Sequence, residues 1–180
     1  MDADVRSDRE LVEAANGGDQ RAFEALYYRY RDWVLRLAWR FTRDNDVALD
    51  VLQETFTYLW GKFPGFRLTA SMKTFLYPTV RHLSIRLQKK RRRDWNCPEV
   101  VEEAESHDQK TPSRAQLAQV LRALPEEQRE VVLMRFVDDM SVREVAVTLD
   151  IPEGTVKSRQ HNALRTLRED PGTRDYFLRD

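Results

Sequence analysis

The sequence has little of what secreted, membrane-spanning and turn-rich proteins need. Its 180 residues include one cysteine, Cys97, which excludes an internal disulfide framework and fits a reducing cytoplasm. It contains 6 glycines and 7 prolines, which favours long helices over a turn-rich β fold. No run approaches the ~18 uncharged apolar residues of a membrane span, and the acidic start has no apolar signal-peptide region. We therefore expect a cytoplasmic protein without a membrane span.

Net charge is also absent, because 30 basic side chains balance 30 acidic ones. This zero total conceals segregation along the chain. Residues 67–95 hold 9 basic and 1 acidic side chains, a net charge of +8, and residues 96–112 hold 1 and 5, a net charge of −4. The segments 1–66, 113–150 and 151–180 carry −3, −2 and +1. The basic block predicts a nucleic-acid partner that the total hides.

No motif in the sequence predicts chemistry of its own. The three histidines are scattered and have no cysteine partners at zinc-ligand spacing. Neither a G-x-x-x-x-G-K-[ST] nor a G-x-G-x-x-G phosphate-binding loop is present. The acidic pairs Asp44/Asp46 and Asp138/Asp139 lie near predicted helix ends, where capping explains them. We therefore expect no enzymatic activity, no cofactor and no metal.

Helical periodicity dominates the first part of the chain. Between residues 19 and 41, apolar side chains recur at steps of three and four, which predicts one buried helix face. A second helix is predicted to be capped by Asn45 or Asp46. The apolar positions of this second helix include Ala48, Leu52, Phe56, Leu59, Trp60 and Phe63. Ser71 is predicted to cap a third helix that ends in the basic block, and Pro78 inside this helix predicts a kink or a split.

A second helical unit is predicted beyond a linker. Residues 96–112 lack periodicity and carry several glutamates, which predicts a flexible acidic linker. Thr111-Pro112 fits a helix N-cap followed by proline at the first helical position. Pro125 opens a further helix, on which Val132 and Phe136 are predicted to face inward. The sequence thus predicts an all-α fold of two small helical domains.

The second unit ends in a pattern typical of a helix-turn-helix. Ser141 and Glu144 fit a capping box at the start of a short helix. Residues 150–154 break that helix, and a second helix with several basic side chains is predicted over 155–168. Such a helix can enter the major groove of DNA. On this segment alone, an ordinary helical hairpin with a solvated basic face is an equally open interpretation.

Three segments occur in an order that is far more specific than any one of them. They are Asp50–Phe56 with Leu59-Trp60, then Phe75-Leu76-Tyr77 running into Arg81 and the basic block, then Leu124–Val131 with Gly154–Arg159. Together they resemble the extracytoplasmic-function (ECF) group of bacterial sigma-70-type sigma factors. The resemblance covers roughly residues 9–170.

The resemblance implies a division of the chain into domains. A sigma-2-like domain of three or four helices is expected over residues 9–95, followed by the flexible linker over 96–112. A sigma-4-like helix-turn-helix domain is expected over 113–170, and a short C-terminal tail over 171–180.

The resemblance also implies function and partners. The chain is expected to bind core RNA polymerase, at the largest-subunit coiled coil and the flap. It would then direct recognition of the −10 and −35 promoter elements, promoter melting and transcription initiation. An anti-sigma factor is a further expected partner. Two alternatives are a decoy that sequesters an anti-sigma factor without binding DNA, and a small helical enzyme acting on nucleic acid. The retained basic residues argue against the decoy, and the lack of a metal or base cluster argues against the enzyme.

Site residues follow from the resemblance position by position. The polymerase-binding segment matches Asp50, Gln53, Glu54 and Phe56. The −10 DNA-binding segment matches Phe66, Arg67, Thr69, Arg81, His82, Arg86, Lys89, Lys90, Arg91, Arg92 and Arg93. The −35 DNA-binding segment matches Arg143, Thr155, Lys157, Ser158, Arg159, His161 and Arg165.

Some of these positions have more than one interpretation. The polar stripe of Asp50, Gln53 and Glu54 either pairs with arginines of a partner helix or is a solvated face. Phe66 either helps to capture a flipped base or closes the domain core. The family commonly has a basic residue where Pro78 stands, Asn where His82 stands, and Asp where Arg86 stands.

Overall fold

The structure is a computed structural model that describes residues 4–94 and 119–170. Over these two ranges the chain forms eight helical segments and no strand, which confirms the predicted all-α fold. Contacts divide the chain into two compact units, Met1–Glu102 and Glu103–Asp180. Within the described ranges, no helix has the length and apolar character that crossing a membrane requires. The predicted linker, the Thr111-Pro112 cap and the C-terminal tail lie outside the described residues.

Four helices build the described part of the first unit. They are α1 (Asp8–Asn16), α2 (Gln20–Thr42), α3 (Asn45–Trp60) and α4 (Met72–Asp94). The periodicity had not predicted α1, although its start carries a local signal. Ser7 and Glu10 form a capping box, in which each side chain accepts a hydrogen bond from the other residue's backbone N–H.

Helices α2, α3 and α4 pack against one another in pairs, and α1 packs on α2. The buried side chains at their contacts include Leu26, Val34, Leu37, Val51, Leu59, Leu76 and Val80. Among the apolar positions of α3, Leu59 is fully buried, whereas Trp60 is 49% exposed. Consecutive helix positions point about 100° apart, so a fully buried Leu59 turns Trp60 towards the edge of the helix. There its ring meets Phe23 edge-on, with centroids 4.7 Å apart.

The observed caps refine the predicted helix boundaries. Asp44, rather than Asn45 or Asp46, caps α3, and its carboxylate accepts hydrogen bonds from the N–H groups of Asp46 and Val47 at 3.0 and 3.1 Å. The backbone N–H of Thr74 donates to Ser71 Oγ at 3.3 Å, as the predicted cap of α4 requires. Pro78 does not split the helix as the sequence had allowed. Instead, α4 continues through this exposed proline as one helix.

The second unit is a compact helical cluster. Residues 119–123 form a helical segment, α5, which is followed by α6 (Glu126–Phe136), α7 (Val142–Leu149) and α8 (Glu153–Glu169). Its core contains Val120, Leu124, Val132, Ala163 and Leu167. Pro125 opens α6 as predicted. Phe136 was predicted to face inward, but it is the last residue of α6 and is 58% exposed, while Met134 and Met140 fill the core.

Candidate nucleic-acid interface

The outer face of α3 carries the polar residues that the resemblance assigns to polymerase binding. Asp50 and Gln53 are exposed, and Glu54 is partly exposed and accepts a hydrogen bond from Arg86 of α4. Phe56 differs from them, because it is 5% exposed and its ring packs against Tyr27 at 4.8 Å. In this structure Phe56 supports α3 from the core, and the surface stripe consists of the polar residues.

Two apolar side chains extend the same face of α3. Leu49 is 47% exposed and Trp60 is 49% exposed. Leu49 precedes Gln53 by one helical turn, and Trp60 follows Gln53 by two turns, so the three side chains share one flank. Periodicity contained a signal for Leu49, since Ala48, Val51 and Leu52 already fill the buried face.

Phe66 lies in the segment between α3 and α4, where the resemblance places base capture. Its side chain is 8% exposed and contacts Phe63 at 5.5 Å and Phe75 at 4.8 Å between ring centroids. In this structure the ring of Phe66 is therefore part of the core. Arg67 and Thr69, which follow it, are exposed.

Asn16 at the end of α1 holds the backbone of this segment. Its Oδ1 accepts hydrogen bonds from the N–H groups of Gly65 at 2.7 Å and Phe66 at 3.0 Å. Its Nδ2 donates to the Phe66 carbonyl oxygen at 2.8 Å. Gly65 adopts a φ of 104°, a conformation open to glycine and strained for other residues. Sequence reasoning missed Asn16, because nothing local connects it to a segment about fifty positions later.

The basic residues of α4 fall into two groups. Exposed members run along the helix at Arg81, His82, Arg86, Lys89, Lys90 and Arg93. Arg91 is less exposed, and its guanidinium pairs with the carboxylates of Asp44 at 2.7 Å and Asp46 at 3.7 Å. Arg91 thereby fastens α4 to the capped end of α3. The side chain of Arg92 lies outside the described structure.

The helix-turn-helix of the second unit is built by α7 and α8. The predicted capping box is present, since the Glu144 N–H donates to Ser141 Oγ at 3.2 Å and the Ser141 N–H donates to Glu144 Oε2 at 2.6 Å. Asp150 ends α7 in the left-handed conformation at a φ of 53°, and Pro152 precedes α8. This turn leaves the outer face of α8 accessible.

The residues assigned to −35 recognition divide between that outer face and a flank. The outer face carries exposed side chains that follow one another at one, three or four positions along α8: Lys157, Ser158, His161, Arg165 and Arg168. Arg168 had not been assigned to the site. Thr155 and Arg159 lie four residues apart on the flank, and the Arg159 guanidinium donates to the Glu127 carboxylate of α6. Arg143 is exposed on α7.

Comparisons with known proteins agree with this geometry. The family model described as "Sigma-70 region 2" matches residues 26–94, and "Sigma-70, region 4" matches residues 114–167. The RNA polymerase sigma-H factor of Pseudomonas aeruginosa is 32% identical, over 84% of this chain and 87% of that protein. The ECF RNA polymerase sigma-E factor of Haemophilus influenzae is 31% identical, over 87% and 91%.

Solved structures show the same fold at lower identity. CnrH, solved in complex with the cytosolic domain of CnrY, has a TM-score of 0.64 at 23% identity and covers 88% of this chain and 93% of its own. The sigma factor RpoE of Bartonella quintana, solved with the anti-sigma factor NepR, has a TM-score of 0.60 at 22% identity, over 82% and 94%. Because two family models match and several relatives agree over most of their length, the chain belongs to the ECF RNA polymerase sigma factors.

Proposed function

We propose that this sigma factor directs core RNA polymerase to promoters by using its two units on two DNA elements. The observation that carries the proposal is the exposed face of α8, on which Lys157, His161 and Arg165 lie side by side after a capped helix-turn-helix. An α-helix of this kind fits the major groove, where its side chains reach base edges and phosphates. The second unit then recognises the −35 element.

The first unit supplies polymerase docking and −10 recognition in this proposal. The exposed Asp50 and Gln53 of α3 are complementary to arginines on a partner helix. The exposed cations of α4 face the DNA backbone, beginning at Arg81 and ending at Arg93. Arg67 and Thr69 stand at the start of that path. Phe66 and Phe56 support these surfaces from the core.

Other parts of the proposal concern partners and chemistry. The chain contributes recognition, and the polymerase contributes catalysis, in the cytoplasm where both act. An anti-sigma factor is a proposed regulator, because two proteins of similar fold were solved with a partner bound, and one of these partners is named an anti-sigma factor. The polymerase contacts are proposed at the largest-subunit coiled coil for α3 and at the flap for the second unit.

Mapping transcript starts tests the proposed function. The purified chain is added to core RNA polymerase with genomic DNA, and the 5′ ends of the transcripts are sequenced. Discrete starts that share two upstream elements are expected. Tight binding to an anti-sigma domain without any start would support the decoy instead, and nucleotide or strand cleavage without polymerase would support an enzyme.

Charge reversal at Asp50 tests the docking face. Asp50→Lys is expected to weaken binding to core polymerase at least about tenfold, because a like charge meets the partner's arginines. The matched control is Asp32→Lys, since the Asp32 side chain is 69% exposed on α2. Affinity is measured by titrating labelled protein with core enzyme. Equal affinity of the two variants would place the docking face elsewhere.

A further inference from the structure

A second group of cations lies at the end of α2, outside the segments assigned to DNA. Residues 36–43 hold 3 basic and no acidic side chains, although the chain before residue 67 is acidic as a whole. Arg36, Arg40 and Arg43 follow one another at steps of four and three, so they lie on one side of the helix. Arg36 and Arg43 are exposed, and Arg40 between them is partly exposed. These three arginines form the α2 cationic face.

Arg43 has an unusual backbone conformation. It ends α2 in the left-handed region with a φ of 54°, where glycine is the favoured residue. The other described non-glycine residues with a positive φ, Asp139 and Asp150, are aspartates, which adopt this conformation more readily. The guanidinium carbon of Arg43 lies 4.8 Å from the ring centroid of Trp39, a cation–π contact that orients the side chain. An exposed charge in a strained conformation indicates a binding role, because such outliers cluster at ligand sites.

Two contacts place Arg43 beside the basic end of α4. The Nε2 of Gln88 donates a hydrogen bond to the carbonyl oxygen of Thr42 at 3.1 Å. One position after Arg43, the carboxylate of Asp44 accepts a hydrogen bond from the Arg91 guanidinium at 2.7 Å. Both neighbours of Arg43 are thus joined to the part of α4 that carries exposed lysines. The cationic surface of α4 therefore continues onto the end of α2.

We propose that the α2 cationic face binds phosphates of double-stranded promoter DNA directly upstream of the −10 element. This inference rests on the proposed function and adds a surface that the resemblance does not assign. In that function the cations of α4 follow the DNA from Arg81 to Arg93, over about 18 Å at 1.5 Å per residue. The −10 element opens towards the transcription start, so the duplex that remains beside the first unit lies upstream. A duplex that follows α4 to its end then meets Arg43.

Charge and side-chain chemistry favour a phosphate backbone over a protein as the occupant. Guanidinium groups bind phosphates with paired hydrogen bonds. Among the described residues, the strongly exposed large apolar side chains lie outside this face. The nearby carboxylates of Asp44 and Asp46 are paired with Arg91, and that of Asp32 lies 3.4 Å from the Arg31 guanidinium. Each nearby carboxylate is thus matched by a cation outside the face, and the net charge of the face is positive.

The conformation of Arg43 permits a variant that separates binding from folding. Arg43→Gly removes the charge and suits the left-handed backbone, so its thermal midpoint is expected to match or exceed that of the wild type. Arg43→Lys keeps the charge, and Arg36→Ala removes a second charge of the face at an exposed helical position. Arg21→Ala is the matched control, because Arg21 is exposed on the same helix about 30 Å from Arg43.

The test uses holoenzyme assembled from each variant with core polymerase, and two labelled fragments of a mapped promoter. In the long fragment the duplex continues upstream of the −10 element, and in the short fragment it stops at the upstream edge of that element. Affinity is measured over a range of salt concentrations. On the long fragment, Arg36→Ala and Arg43→Gly are each expected to reduce the salt slope by about 1, because a phosphate contact is lost. Arg43→Lys and Arg21→Ala should leave this slope unchanged, and on the short fragment all four variants should match the wild type.

An unchanged slope on the long fragment in both Arg36→Ala and Arg43→Gly would overturn the upstream contact. Equal losses on the two fragments, or an equal loss in Arg21→Ala, would overturn it as well. Weaker assembly of both face variants with core enzyme would replace it by a polymerase contact. Start mapping with the wild-type chain tests the proposed function separately. Discrete starts together with unaffected face variants reject only the upstream contact, whereas absent starts reject the proposed function itself.

Discussion

Asn16 shows how one side chain at the end of a helix controls a distant segment. Its amide satisfies two backbone N–H groups and one carbonyl oxygen at Gly65 and Phe66. These groups lie where α3 has ended and α4 has not begun, so no helix supplies partners for them. The half-buried Asn16 therefore connects α1 to the segment that carries Arg67 and Thr69.

Replacing Asn16 by alanine is expected to destabilise the first unit by about 1–2 kcal/mol, since three hydrogen bonds to the backbone are lost. Amide hydrogen exchange at Gly65 and Phe66 should accelerate, and urea unfolding should report the free-energy loss. The exposed Asn45→Ala is the control for a lost asparagine. Unchanged exchange at both amides would show that the segment holds its conformation without Asn16.

At the scale of the helix, α4 combines an anchor with a binding surface. Arg91 fastens α4 to the carboxylates of Asp44 and Asp46, while the neighbouring Lys90 is exposed. A run of five basic residues looks uniform in sequence, but helical geometry turns successive side chains to different sides. The cations of this run therefore have different tasks.

Arg91→Ala and Lys90→Ala are expected to differ in their effects on stability and on DNA binding. Arg91→Ala should lower the free energy of unfolding by about 0.5–1 kcal/mol through loss of a partly exposed ion pair. Lys90→Ala should leave stability unchanged and reduce the salt slope of promoter binding by about 1. Chemical denaturation and a salt titration measure the two effects. Equal stability of both variants would contradict the anchoring role.

The same distinction applies to α8. Lys157 stands on its exposed face, and Arg159 on its flank is held by Glu127 of α6. Helical phase explains the difference, because two residues along an α-helix lie about 200° apart. Sequence matching assigned both to the −35 surface without separating them.

Lys157→Ala is expected to reduce the salt slope of −35 binding by about 1, because a phosphate contact is lost. Arg159→Ala is expected to change this slope by clearly less, since its guanidinium is engaged with Glu127. Binding of each variant to a duplex taken from a mapped promoter is measured over a range of salt concentrations. A larger slope change for Arg159→Ala would mean that it leaves Glu127 to contact DNA.

At the scale of the molecule, a neutral net charge is combined with local ion pairs and local basic faces. The total of 30 basic and 30 acidic side chains is neutral. Several basic residues are engaged within their own unit, as Arg6 is with Asp4 and Asp19, and Arg29 is with Asp8. These pairs surround the start of α1 and fasten it to α2. A neutral total with local basic faces suits a protein that is expected to bind DNA firmly only when polymerase holds both units on one promoter.

The cluster around α1 predicts an acid-sensitive first unit. Hydrogen bonds from Arg6 lower the pKa of Asp4 from 3.8 to about 2 and also lower that of Asp19, and hydrogen bonds from Ser7 lower that of Glu10. A carboxyl whose pKa is lower in the folded state stabilises the fold above its unfolded pKa, and this stabilisation is lost as pH falls through the folded pKa. The thermal midpoint of the first unit should therefore fall between about pH 4 and about pH 2.

Tryptophan fluorescence measures this transition selectively, because the 4 tryptophans all lie within Met1–Glu102. Asp4→Asn should flatten the fall of the midpoint, since one of the three shifted carboxyls is removed. Asp32→Asn makes the same charge change at an exposed position of α2. If the midpoint of Asp4→Asn fell as steeply as that of Asp32→Asn, the cluster would not control acid sensitivity.

Local pattern was sufficient for the fold class and for most helices. Steps of three and four define the buried faces of α2 and α3, and the capping box at Ser141 begins α7, because these signals involve neighbours within about one helical turn. The ordered segments from Asp50 to Arg159 also identified the family, which the comparisons confirm.

Exposure and pairing were decided by packing between helices. The burial of Phe56 and Phe66, the exposure of Trp60 and Phe136, and the engagement of Arg91 and Arg159 all depend on residues far away in sequence. Periodicity specifies which way a side chain points from its own helix, but not what a second helix places there. For this reason Asn16, whose backbone partners Gly65 and Phe66 lie about fifty positions away, emerged only from the folded chain.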